Sequence, residues 1–549
     1  MEATEISNKT IRLIDDLKAV CHNFGMGNDG NEYKVITQVF LYKFLNDKFG
    51  YELLRSSAKE AQKVKAADKW EVAYEQLSER ERKAILRRMS PDVPKLNPEH
   101  LISSLWNRQN VGNFDDIFDS TMVDIADKNI EVFSTQTATN EKLPIFERLT
   151  RYVEEPDRRK DFAKALVDKL VNFSFMDVFS QRYDFFSRIF EYLIKDYNTS
   201  SGDTYAEYYT PHAMAMIIAR ILVGDNADLH NIECCDPSAG TGTLLMALAH
   251  QVGEDRCTIF SQDISQKSNK MLKLNLLLNG LVSSLQNAIQ GDTLVNPYHK
   301  SDDGKNLRQF DLIASNPPFK LDFSDTRETI AAQATRFWAG VPTIPKKKKK
   351  SMAIYLCFIQ HVINSLKDKT GKGAIVVPTG FLTYKGKIET AIRKYLIDEH
   401  ILSGAISMPA NVFANTGTNV SILFFDKSKG ANKAILIDAT NLGEDYKEGP
   451  NQKHRLRQDE IETIVTAFNS CKSIPGLSVA VPYEDIANRK YALAAGQYFD
   501  VKIARREISA SDFKAQMAAI NSDIKDMITT ARTLAEIITN ELSTLELSE

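Results

Sequence analysis

The sequence contains no C-x-x-C pair, no H-E-x-x-H and no Walker A loop of the form G-x-x-x-x-G-K-[ST]. The first two absences leave no zinc site to argue for, and the third removes an ATP-driven motor. Its six cysteines, Cys21, Cys234, Cys235, Cys257, Cys357 and Cys471, are scattered, several of them in apolar runs. They read as reduced, buried thiols. Long apolar runs are also missing: no stretch approaches the length of a spanning helix, and MEATEISNKTIRLIDDLKAV lacks the basic start and apolar core of a signal peptide. The expected location is the cytoplasm, with no membrane partner. Nor is there a basic excess, since 69 Lys and Arg face 72 Asp and Glu, a net charge of −3. Most nonspecific affinity for DNA comes from neutralising phosphates, so if DNA is the substrate a partner supplies much of the grip.

What is present is a soluble, globular composition, 43% hydrophobic and 26% charged, in a chain of 549 residues, long enough for two or three domains. Up to about Ala165 the pattern is helical with little strand character. VITQVFLYKFLNDKF places Ile36, Val39, Phe40 and Phe44 on one face, and further helical stretches are expected around Trp70 to Met89 and Ile145 to Val153. After a polar loop, NTSSGDT, apolar runs alternate with helical stretches: IECCD (232–236), CTIFSQD (257–263), FDLIASN (310–316) and GAIVVP (373–378). Such alternation implies parallel strands joined by helices in an open, doubly wound α/β sheet. ILSGAISMP (401–409) and NVSILFFDK (419–427) have no room for a helix between them and read as an antiparallel hairpin closing the sheet. From Phe513 onward Met517, Ile520, Ile524, Met527, Ala531, Leu534, Ile538 and Leu545 follow 3/4 spacing interrupted once by Glu541, a helix that packs on the chain's own body or docks on a helical partner. The boundaries drawn are a helical domain (1–165), an α/β domain (166–505) and a helical tail (506–549).

Chemistry concentrates at the ends of the strands. IECCDPSAGTGTLLMALAH is a strand, a glycine-bearing turn and a helix. Gly240 and Gly242 let the backbone turn sharply and approach a ligand at a helix N-terminus, and Asp236 stands at the strand's carboxyl end, where doubly wound sheets bind ligands. A dinucleotide fingerprint would need glycine at Leu245. Asp263 ends the next strand, placed to accept from ribose hydroxyls or to cap the following helix. Asp292 in GDTL either reaches an amine of a ligand or serves its own turn. In AEYYTPHAMAMIIARIL, Thr210 reads as an N-cap and Pro211 as the first helical residue, which leaves Glu207, Tyr208 and Tyr209 unexplained. FDLIASNPPFK ends a buried strand on an amide, two prolines and an aromatic ring. That corner offers carbonyl acceptors to a flat ligand carrying two N–H donors.

DPSAGTG, then Asp263, then Asp292, then NPPF, with EYYTP ahead of them, resembles the amino-methyltransferases that methylate adenine in DNA with S-adenosylmethionine. Within these it is most similar to the modification (M) subunit of type I restriction-modification systems. The likeness runs from about Val178 to Lys427. It implies a doubly wound S-adenosylmethionine-dependent methyltransferase sheet. It further implies that Glu207, Tyr208, Tyr209, Thr210, Pro211 and His212, with Asp236, Pro237, Ser238, Ala239, Gly240, Thr241 and Gly242, line the methionine side of the cofactor. Asp263 would hold the ribose, Asp292 the cofactor's adenine, and Asn316, Pro317, Pro318 and Phe319 the target base, turned out of the duplex. The implied partners are DNA, a specificity subunit, a second M subunit and, in the full assembly, a restriction subunit. A solitary methyltransferase reading its own site and a non-catalytic scaffold are the rival readings. The five lysines at 346–350 are either a solvated loop or a phosphate contact at the DNA entrance.

Overall fold

The computed structural model describes residues 2–27, 30–137, 139–179, 189, 192, 210–224, 228–410, 419–428, 430, 432–448, 451–499 and 509–543. They form two compact units, Met1–Tyr498 and Phe499–Glu549.

The first unit is built on an eleven-stranded sheet in the order β13-β10-β8-β9-β7-β6-β3-β4-β5-β1-β2. Its strands are β1 (Ser134–Thr137), β2 (Lys142–Pro144), β3 (Ile232–Asp236), β4 (Cys257–Asp263), β5 (Ala288–Gln290), β6 (Leu312–Ser315), β7 (Lys372–Pro378), β8 (Leu402–Ser407), β9 (Val420–Asp426), β10 (Lys433–Asp438) and β13 (Ser478–Pro482). A separate hairpin pairs β11 (Glu444–Glu448) with β12 (Asn451–Arg455). From β5 to β7 all pairings are parallel, and β9 runs antiparallel to both β7 and β8. The central strands are buried on both faces, as in Val376, Val377 and Ile422 to Phe425, which is why they read as unbroken apolar runs. β4 lies on one side of β3 and β6 on the other, so the strand order reverses at β3. In such sheets the crevice beyond the carboxyl ends at the reversal receives ligands.

The expected α/β sheet with its antiparallel hairpin is present, with two departures at its borders. The hairpin does not close the sheet, because β10 pairs parallel to β8 and β13 pairs with β10 beyond it. At the other border β1, from the mainly helical N-terminal region, adds parallel to β5, so that region contributes two strands as well as helices such as Gly30–Arg55 and Phe114–Lys128. The stretch Ile145 to Val153, read above as helical, holds only a short 3₁₀ turn at Thr150–Tyr152. The reason is local. The buried carboxylate of Asp119 accepts from the N–H groups of Leu149 (2.8 Å) and Thr150 (3.1 Å) and from the Thr150 hydroxyl (2.7 Å), taking donors that an α-helical ladder would use.

Cys21, Cys234, Cys235 and Cys357 are buried and all six cysteines are free. No helix among the described residues is long and apolar enough to cross a membrane. In the second unit the helix Ala510–Ser543 has no buried residue. Phe513, Ile520, Met527, Leu534 and Ile538 are exposed on it, while Leu545 lies outside the described residues.

Candidate functional site

The turn after β3 is specified by short-range bonds. Gly240 (φ 51°) and Gly242 (φ 84°) both occupy left-handed backbone, and a Cβ on Gly242 would sit 2.3 Å from Leu272 Cδ1. Gly242 is therefore needed twice, for its torsion and for its lack of a side chain. It caps the helix Thr243–Val252, whose bond from Met246 N–H to the Gly242 carbonyl is 2.9 Å. The Gly240 N–H donates to Asp263 Oδ2 (2.8 Å), the Thr241 carbonyl accepts from the Asn275 amide (3.1 Å), and the Pro237 carbonyl accepts from the Thr293 hydroxyl (2.7 Å). The segment 237–242 is thus tied to the ends of β4 and β5.

Asp236 is almost fully buried at the end of β3. Its Oδ1 accepts from Ser238 N–H (2.9 Å) and from the hydroxyl of Ser315 (2.9 Å), and the Ser238 and Ser315 hydroxyls are 2.6 Å apart. Burial pushes its carboxyl up to about 7, against the lowering effect of those two bonds, and nearby Asp263 adds to the rise. Among the described residues no cationic side chain bonds this carboxylate, and a cationic group brought beside it would favour the ionised form. Asp263 is also raised by burial, with its two oxygens taken by Gly240 N–H and Ser265 N–H (2.8 Å each). It is not the cap of the next helix: Ser265 is, its hydroxyl accepting from Ser268 N–H (3.1 Å). Asp263 therefore spans two turns and keeps free lone pairs for an outside donor. Ile264, 65% exposed, follows it directly.

Asp292 engages its own turn, Oδ1 accepting from Leu294 N–H (2.9 Å) and Val295 N–H (3.1 Å). That turn is held from outside by a residue no motif announces. Arg336, buried in the loop after β6, donates to the carbonyls of Thr293 (2.8 Å) and Leu294 (2.9 Å) and to His361 Nδ1, and Gln333 donates to the Leu294 carbonyl as well (3.1 Å). Burial lowers Arg336 to about 10, with Cys357 and Asp292 opposing the fall. Because an arginine can only donate, His361 carries its proton on Nε2, and burial, then Arg336, hold it well below its usual range.

The end of β6 completes the crevice. Asn316 is half-buried and its Nδ2 donates to Thr210 Oγ1 at 3.1 Å, across a separation of 106 residues. This orients the carboxamide and leaves Oδ1 as its acceptor. It also corrects the reading of Thr210 as a helix cap: the helix begins at His212 with Pro211 at the cap, whose carbonyl takes the first bond from Ala215 N–H (3.0 Å), and no side chain caps it. The threonine hydroxyl is spent on the asparagine instead. Pro317 is buried, Pro318 and Phe319 are half-buried, and Phe319 meets Tyr355 edge-on (6.5 Å, 83°), which in turn meets Phe381 (6.1 Å, 84°). Glu207, Tyr208 and Tyr209 lie outside the described residues. The lysines 346–350 are all exposed, after a half-buried Pro345, with Lys348 in left-handed backbone (φ 61°).

The geometry thus joins Asp236, the glycine turn, Asp263 and the Asp292 turn in one hydrogen-bonded frame, with Ser315 linking it to the strand that carries Asn316. The sequence profile of the N-6 DNA methylases matches residues 181–507. The chain belongs to the N-6 DNA methylase family. Among curated relatives, the MpnII type I restriction enzyme methylase subunit of Mycoplasma pneumoniae is 26% identical over 371 residues, 66% of this chain and 66% of that protein. The MjaIX methylase subunit of Methanocaldococcus jannaschii is 25% identical over 396 residues, 69% of this chain and again 66% of the relative. The match therefore spans just under two thirds of those relatives' length. A type I restriction-modification methyltransferase subunit from Streptococcus thermophilus shares the fold, with a TM-score of 0.72 at 20% identity, over 91% of this chain and 100% of that one.

Proposed function

We propose that this N-6 DNA methylase is the methyl-transferring subunit of a type I restriction-modification complex, acting on the exocyclic nitrogen of an adenine turned out of DNA, with site choice in a separate specificity subunit. The observation that carries the reading is the 3.1 Å bond from Asn316 Nδ2 to Thr210 Oγ1. It leaves the Asn316 side-chain oxygen, beside the Pro317 carbonyl, to accept from an incoming amino group.

An adenine amine is a poor nucleophile because its lone pair is delocalised into the ring. Two acceptors on its two N–H groups favour a more tetrahedral nitrogen and stabilise the positive charge it gains on alkylation, so orientation and electrostatics replace a general base. Phe319 offers its ring to the extruded base. S-adenosylmethionine, when bound, supplies a methyl group on an electrophilic sulfonium. The frame suits it chemically. Asp236, which bonds no cationic side chain among the described residues, would take a cationic group; Gly240 and Gly242 present bare backbone; Asp263 would accept ribose hydroxyls; and Ile264 with the Asp292 turn would flank the adenine. The exposed apolar residues of the helix Ala510–Ser543 are the candidates for docking the specificity subunit, and the near-neutral charge of the chain supports a shared grip on DNA.

The test is Asn316→Ala in the complex purified with its genomic neighbours. Cofactor affinity should stay within about twofold while methyl transfer falls roughly 10²–10³-fold, the usual effect of deleting one transition-state hydrogen-bond partner. Turnover at the wild-type rate would end the proposed role.

A further inference from the structure

A cavity of about 400 Å³ lies between the helices Gly30–Arg55 and Gln266–Leu278 and the segment 143–147, and it shares no lining residue with the glycine turn, Asp263, Asp292 or 316–319. Lys267, Lys270 and Lys273 line it from one helix, and Lys34 from the other. Lys273 is only 6% exposed, and among the described residues the carbonyl of Leu143 (3.0 Å) is the one partner of its ammonium. Burial, with Lys270 adding, pulls Lys273 down to about 7. Asn269, 2% exposed, lines the same cavity; its Oδ1 accepts from the Thr135 hydroxyl (3.2 Å), while its buried Nδ2 has no partner among the described residues. Glu147 is the one carboxylate among the lining residues; it is engaged by Arg151 (2.5 Å), Gln38 (3.1 Å) and the hydroxyl of Tyr152 (2.9 Å), and it also feels the charge of Lys270, which leaves the buried Lys273 amine without a carboxylate partner among the described residues.

A buried unsatisfied donor and a buried ammonium with a second amine close by are costly unless an acceptor or an anion joins them. The remaining wall is apolar, formed by Tyr33, Leu41, Phe146 and Leu274. We propose that this cavity binds a small anionic molecule with a flat ring, of mononucleotide size, held by the ammonium groups of Lys273 and Lys270 and the amide of Asn269. The volume falls within the ~300–1,000 Å³ typical of small-molecule sites. Lys273 and Asn269 lie too deep for the backbone of a DNA duplex lying on the surface, which favours a small ligand.

Calorimetry on the full chain with uridine monophosphate tests this, since that probe lacks the adenine of S-adenosylmethionine. At pH 8 its phosphate, with a second pKa of about 6, is already ionised, so any proton taken up with it goes to the protein. The titratable groups facing Lys273 across the cavity are Lys34, Lys267, Lys270, Tyr33 and Glu147. Titration in two buffers of different ionisation heat should show saturable binding with proton uptake. Lys273→Met should abolish that uptake and weaken binding roughly tenfold, and the exposed Lys270→Gln should weaken it by a similar factor. Absence of saturable heat, binding indifferent to both substitutions, or displacement of the nucleotide by a duplex oligonucleotide, which would assign the lysines to DNA phosphates, overturns the proposal.

Discussion

The turn after β3 and the loop after β6 leave neighbouring strands at the same edge of the sheet, yet they keep their shape by different means. Residues 237–242 are held largely by backbone torsions and by acceptors close to the strand ends: two left-handed glycines, with Asp263 accepting from Gly240 N–H and Asp236 from Ser238 N–H. The loop from Asn316 to Ile354 depends on side chains reaching to other elements. Arg336 and Gln333 grip the Asp292 turn, and Gln360 and Asn364 on the helix Tyr355–Ser365 bond to Ala339 N–H and to the Gly340 and Arg336 carbonyls. A turn of the first kind fails at one residue. A loop of the second kind fails when its anchor goes, and it takes the neighbouring turn with it.

The contrast is broken most forcefully at Arg336. Replacing it with Met leaves the Thr293 carbonyl and His361 Nδ1 without their donor, while the Leu294 carbonyl keeps Gln333, and the two unsatisfied acceptors should cost about 2–6 kcal/mol at roughly 1–3 kcal/mol each. Chemical denaturation checks the loss, and cofactor affinity should fall with it because the Asp292 turn is released. A variant as stable as the wild type would mean that the loop has no such anchor. Gly242→Ala attacks the other side. Left-handed backbone and the Leu272 contact together predict about 1–3 kcal/mol of destabilisation. The damage should be local: cofactor binding should weaken while amide exchange in the loop after β6 stays as in the parent.

A gentler probe is pH. Asp236 in the free protein keeps its proton up to about 7. A cationic ligand favours the ionised carboxylate, so binding releases that proton below pH 7. Affinity for S-adenosylmethionine should then climb with pH, by at most about tenfold per unit, and level off above 7. Asp236→Asn should flatten the profile, and a flat wild-type profile would show that no cation approaches this carboxyl.

The same contrast explains what the sequence disclosed. Strands β3, β4, β6 and β7, the glycine turn and the asparagine at the end of β6 are written in contiguous residues, where apolar runs and glycine spacing speak for themselves. The partnership of Thr210 with Asn316 and the anchoring by Arg336 are not, because each depends on which residues the finished sheet brings together. In TRFWAG, the arginine sits among apolar and aromatic neighbours, a hint of burial that spacing alone does not convey. β1 was hidden for a related reason: STQT has no alternating apolar pattern and becomes a strand only because β5 offers it an edge.

That pairing constrains how the protein can be cut. Excising the first 165 residues as a module would strip β1 and β2 from the border of the sheet and leave β5 with a row of open amide and carbonyl groups. Such a raw border is a template for stacking against other copies. A shortened catalytic fragment should therefore be prone to precipitate, whereas one that retains the 134–144 ribbon keeps its flank sealed.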